Sequence, residues 1–98
     1  MAQLVGQEVV KDPHDPKYYA LAAESLEQYQ EQTGHRNLAV LEVRRATEQL
    51  VAGLITRLIF DAQSLDQNYL LLCNSKIFEP LDSSPKEITV NCERPLLR

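Results

Sequence analysis

The chain has 98 residues, 44% hydrophobic and 24% charged, with 14 acidic against 10 basic side chains and a net charge of −4. That length makes one domain, residues 1–98, burying roughly 60–65% of the surface its unfolded form exposes. The acidic balance argues against a nucleic-acid partner, because the densest basic spot, Arg44-Arg45, is flanked by Glu42 and Glu48 instead of extending into a stripe. No apolar run approaches the ~20 residues that span a bilayer, which argues against a membrane role.

Leu4 to Asp12 is apolar at its start and has no helical period, so it reads as an extended arm with room for a short strand. Asp12-Pro13-His14-Asp15-Pro16 is a turn cluster in which Asp15 suits an N-cap and Pro16 the first helical position. Lys17 to Thr33 holds no Gly, Pro or Val. Tyr19, Ala22, Ala23, Leu26 and Gln30 recur at helical spacing, flanked by Tyr18 and Tyr29, with Glu24, Glu27, Gln28 and Glu31 largely opposite. Gly34 supplies a left-handed stop.

Beyond Gly34 the period changes to two. Ala39, Leu41 and Val43 alternate with Val40, Glu42 and Arg44, and the run continues to Gln49. After the connection Leu50-Val51-Ala52-Gly53, Leu54, Thr56, Leu58 and Phe60 alternate with Ile55, Arg57, Ile59 and Asp61. Asp61 to Asn68 reads as a polar connection, Tyr69 to Glu79 as a third long strand, and Lys86 to Glu93 as a fourth in which Ile88, Val90 and Cys92 face one way. Pro80-Leu81-Asp82-Ser83-Ser84-Pro85 is the turn between these two. The predicted fold is α+β: one long helix packed across a four- to five-stranded antiparallel sheet whose other face is open to water.

Cys73 and Cys92 are nearly equidistant from the Asp82-Ser83 turn, so a hairpin brings their Cα atoms within the ~4.4–6.8 Å that a disulfide tolerates. Such a bridge closes a loop of ~18 residues and adds roughly 3 kcal/mol; two reduced core cysteines are the alternative reading. Met1 to Gly6 lacks the basic start and apolar stretch of a signal peptide, leaving a cytoplasmic protein or a mature secreted form. A disulfide favours the secreted one.

Catalysis is hard to assemble from these residues. His14 and His35 occupy turn positions with no sequence relation to a cysteine, and no paired Cys/His spacing suits a metal. Only Gly6, Gly34 and Gly53 exist, so no glycine-rich loop cradles a phosphate. The expectation is no catalytic residue, no metal and no cofactor.

Three segments are instead expected along one edge: Leu4-Val5-Gly6, Gln49 to Gly53, and Pro80-Leu81. The two turns are alternate ends of an up-and-down sheet, and each carries apolar residues where turns are ordinarily polar. On these residues the sequence resembles the cystatins. Gln49-Leu50-Val51-Ala52-Gly53 reproduces their Q-x-V-x-G signature, Leu4-Val5-Gly6 looks like their N-terminal trunk (residues 1–6 here), and Pro80 stands where their second hairpin carries Pro-Trp, twelve residues before the last Cys.

The resemblance implies a reversible, tight-binding competitive inhibitor of papain-like, cathepsin-type cysteine proteases. Leu4 and Val5 would fill non-primed pockets, Gly6 would let the arm bend, Gln49 to Gly53 would sit centrally, and Pro80 and Leu81 would flank them. Preformed turns lose little entropy on docking. Two departures stand out: Leu81 replaces the Trp, and only one disulfide is available. Asn37, in the loop after the helix, lacks the surroundings that would mark a legumain-binding site. The competing reading is a non-inhibitory binding or structural module on the same fold. The expected state is a monomer; opening a turn strained at β-branched Val51 would produce a domain-swapped dimer.

Overall fold

A computed structural model describes residues 6–95 of the chain; Leu4 and Val5 of the expected arm lie outside the described residues. Helix α1 (Pro16–Thr33) begins where Asp15 accepts a hydrogen bond from the Lys17 N–H at 3.0 Å and Pro16 needs no donor, and it ends where Gly34 takes φ 82°. The sheet is an antiparallel meander of five strands in sequence order: β1 (Val9–Lys11), β2 (Leu38–Val51), β3 (Gly53–Ser64), β4 (Leu70–Pro80) and β5 (Glu87–Glu93). One helix on a five-stranded sheet is the architecture expected.

The helix face differs in detail from the predicted stripe. Tyr18, Ala22, Ser25, Leu26 and Tyr29 are buried, whereas Tyr19 is 49% exposed and Ala23 also faces out. A tyrosine can serve either side of a helix boundary because its ring is apolar and its hydroxyl is not. Tyr19 lies along the rim and donates to the Val40 carbonyl at 3.2 Å. Small residues then set the approach to the sheet: the Ser25 and Ser75 hydroxyls, both buried, hydrogen-bond each other where α1 crosses β4.

β2 also departs from the simple alternation. The register against β3 shifts between Val40 and Glu42 and again between Val43 and Arg45, each shift being a bulge that inserts one unpaired residue. The buried apolar residues of β2 are therefore Leu38, Val40, Val43 and Ala46, and Leu41 is turned outward. β3 runs past Asp61 to Ser64 because the Asp61 carboxylate is held by the Arg44 Nε at 2.7 Å, so the polar residue stays in the strand. Leu58, Phe60, Ala62, Leu71, Cys73, Ile77 and Cys92 complete the core beneath the helix. Ile88 and Val90 pack against it from β5, as their spacing predicts.

Cys73 and Cys92 are direct cross-strand partners and form a disulfide with Cα atoms 4.0 Å apart. That separation is shorter than the expected range. The two are the described cysteines, and neither thiol is free. Among the described residues no helix is long and apolar enough to cross a membrane.

Candidate functional site

At one end of the sheet Gly6 and the two expected turns meet. β2 runs through Gln49 and Leu50 to Val51, and β3 starts at Gly53, so Ala52 alone forms the tip. Gly53 is paired on its other side with Pro80, the last residue of β4, which brings the second turn beside the first. Gly6 joins from the arm: its N–H donates to the Leu50 carbonyl at 2.7 Å. Gly6, Gln49 to Gly53 and Pro80-Leu81 are therefore neighbours in space across three separate pieces of chain.

Gly53 is there because nothing larger fits. Its φ is 142°, and a Cβ would lie 2.4 Å from the Glu79 carbonyl oxygen and 3.0 Å from the Pro80 Cα. The close approach of β3 to β4 excludes a side chain. Gly6 has a different status. A Cβ there would meet Leu50 at 3.5 Å, an ordinary contact, so the space around Gly6 does not itself demand glycine.

The apolar tip residues are not equally displayed. Leu50 is 65% exposed and Leu81 is 81% exposed. Val51 is half-buried and leans over the helix-free face of the sheet toward Ile55 and Phe78. Among the described residues the non-glycine positions with positive φ are Asn37 and Asn68, so the backbone strain expected at Val51 is absent.

Gln49 turns inward along the arm. Its Nε2 donates to the Gly6 carbonyl at 3.0 Å, and its Oε1 accepts from Arg57 Nη1 at 3.0 Å. Arg57 also approaches Glu8 at 3.7 Å, and Glu8 accepts a hydrogen bond from the Thr47 hydroxyl. Glu8, Thr47 and Arg57 were not anticipated from the sequence. The hairpin register was the usable signal: Gln49 opposes Ile55 and Thr47 opposes Arg57, which makes Gln49 and Arg57 diagonal neighbours on one face.

Beneath this end, on the helix side, the Tyr18 hydroxyl donates to Glu48, and Lys17 lies 3.4 Å from the same carboxylate. Burial, followed by the bond to Glu48, raises the Tyr18 phenol well above its ordinary value. The bond from Tyr18 lowers the Glu48 carboxyl below its ordinary value, against the opposing effect of burial. Asn37 lies at the opposite end, where its Nδ2 donates to Asp66 at 2.7 Å. No group of three His, Cys, Asp or Glu side chains is placed to hold a metal among the described residues.

The architecture matches solved structures over almost its whole length. A crystal structure of Al-CPI covers 92% of this chain and is itself covered completely, with TM-score 0.80 and 23% identity. Mialostatin, a gut cystatin from the hard tick Ixodes ricinus, has TM-score 0.73 at 20% identity, over 92% of this chain and 100% of its own. Dimeric human cystatin F has TM-score 0.74 at 18% identity, over 95% of this chain and 90% of its own. No family model matches the sequence, and no curated protein matches it. Helix, five-strand meander and disulfide thus lead to one architectural conclusion: this chain has the cystatin fold.

Proposed function

We propose that the protein is a reversible, tight-binding competitive inhibitor of papain-like cysteine proteases of the cathepsin type, acting as a secreted monomer without a cofactor. The observation that carries this reading is the gathering of Gly6, Leu50 to Gly53 and Pro80-Leu81 at one end of the sheet, with Leu50 and Leu81 left in water. Exposed leucines beside backbone already held by its own hydrogen bonds form a rigid apolar ridge, and such a ridge suits a cleft in another protein. The resemblance of Gln49 to Gly53 to the cystatin signature supplies the kind of cleft, and the names of two fold neighbours agree with it. Leu4 and Val5 are proposed to enter the same cleft from the arm.

The wedge inhibits without being consumed because a hairpin tip presents no extended peptide bond to the catalytic thiolate. The disulfide Cys73–Cys92 supports the secreted assignment, since such bridges persist in oxidising compartments. A domain-swapped dimer, formed by opening the Gln49 to Gly53 turn, would hide the ridge and be inactive.

Titration of active papain with the monomer, separated by gel filtration, tests the proposal. Progressive loss of hydrolysis, relieved by excess substrate, is the expected result. Full activity at micromolar inhibitor would leave a non-inhibitory module on the same fold.

A further inference from the structure

The arm is attached to the ridge by a polar relay on the helix-free face of the sheet. Arg57 is a donor only, so the Gln49 carboxamide must turn its oxygen toward Arg57 and its NH2 toward the arm. That NH2 is what the Gly6 carbonyl accepts, at 3.0 Å, while the Gly6 N–H donates to Leu50 at 2.7 Å. Glu8, two residues further along the arm, faces Arg57 at 3.7 Å and accepts from Thr47. The guanidinium thus sits between two arm-holding groups and orients one of them.

We propose that Arg57 is a positioning residue: it sets the orientation of the Gln49 carboxamide, and with Glu8 it holds Gly6 against Leu50 so that the arm is presented to a protease cleft beside the hairpin tip. Gln49 acts through the arm and not by contact with the target. This rests on the inhibitor reading above and adds to it residues outside the signature. An ordered arm gives up less conformational freedom on docking, so the relay contributes affinity without touching the partner.

Two substitutions on the full chain test it. Gln49→Glu keeps an acceptor for Arg57 and has no hydrogen to give Gly6; Arg57→Met keeps much of the aliphatic stem and leaves the carboxamide free to flip. Each is expected to speed water exchange of the Gly6 amide, measured by NMR, about tenfold, and to weaken papain inhibition by a similar factor. Thermal midpoints should stay near wild type. In a Leu4→Ala/Val5→Ala background the same substitutions should change inhibition by less than about twofold, because the arm they position has lost its anchors.

Unchanged Gly6 exchange in both variants overturns the relay, whether or not the wild type inhibits. Faster exchange with undiminished inhibition, or an equal loss in both backgrounds, overturns the positioning role. Failure of the wild type to inhibit papain would count against the inhibitor reading alone, with Gly6 exchange still deciding the relay.

Discussion

The two ends of the sheet are built on different plans. At the end away from the ridge, side chains hold one another: Asn37 donates to Asp66, Ser64 donates to Asp66 and accepts from the Gln67 N–H, and His35 stacks on Tyr29 with ring centroids 5.6 Å apart. Arg94 lies 4.5 Å over the Tyr69 ring, and Asn37 and Asn68, the non-glycine residues with positive φ among those described, belong to these loops. At the ridge end the tips are held by backbone pairing and by one buttressed carboxamide, and the leucines point into solvent. Loops that satisfy their own polar groups close a fold. Loops whose backbone is settled and whose apolar side chains are not have something left for a partner to cover.

Four experiments can break or sharpen that contrast. Replacing Cys73 and Cys92 together by Ser should lower stability by about 3 kcal/mol, because the bridge closes a loop with a separation of 19 residues. Urea midpoints would register the loss. Papain inhibition, measured where the variant is still folded, should move by less than about twofold, since the bridge serves the sheet and not the tips. A parallel loss of inhibition would mean the two ends are not separable.

Gly53→Ala should act at the other end and do both things at once. The added Cβ meets the Glu79 carbonyl oxygen at 2.4 Å. It should cost about 2 kcal/mol of stability and weaken inhibition about tenfold or more by spreading β3 from β4. Gly6→Ala is the internal comparison: its Cβ finds ordinary contact, so denaturation should barely shift.

Leu81→Trp enlarges an anchor that is already exposed. Inhibition should tighten by about 1–2 kcal/mol, or about five- to thirty-fold, with the unfolding midpoint unaffected. Inhibition constants equal to or worse than wild type would exclude the second turn from the contact.

The smallest effect concerns pH. Glu48 has a lowered folded-state value, so it contributes stability that is fully present above the ordinary carboxylate value of 4.5 and disappears as pH falls through the folded value. Tyr18 has a raised value, so its contribution is present below its ordinary 10.0 and is lost as pH rises beyond that. Glu48→Gln should therefore be less stable than wild type at neutral pH and converge with it in acid. A constant gap across an acid titration would show that the Tyr18–Glu48 bond is not its source.

Much of this architecture can be read from residue order, because its signals are local. Asp15-Pro16 and Gly34 bracket the helix with the chemistry that helix ends require, and alternation in β3 and β5 places Phe60, Val90 and Cys92 correctly. The disulfide followed from counting outward from a turn. What escaped was what depends on a partner strand. Neither bulge in β2 carries Gly or Pro, so nothing announces that Leu41 faces out. The hydroxyl pair Ser25–Ser75 needs two elements already docked. At the ridge, the signature located Gln49 to Gly53 but not what Gln49 does, since its two partners lie 43 and 8 residues away in sequence.

Those bulges have one more consequence. β1 pairs only with residues 46–48 of β2, so among the described residues β2 before Ala46 forms an outer rim with no strand beside it, where the Tyr19 hydroxyl and the Gln30 carboxamide take up only the Val40 carbonyl and the Leu38 N–H. A long flat rim of that kind would recruit strands from other molecules and seed fibrils. Both irregularities fall within this stretch, where they twist the rim, while Glu42, Arg44 and Arg45 put charge along it. The same distortion that hides Leu41 from sequence-based reading thus works as a guard against self-association. Removing the first bulge by deleting Leu41 should show as turbidity before it shows as any change at the ridge.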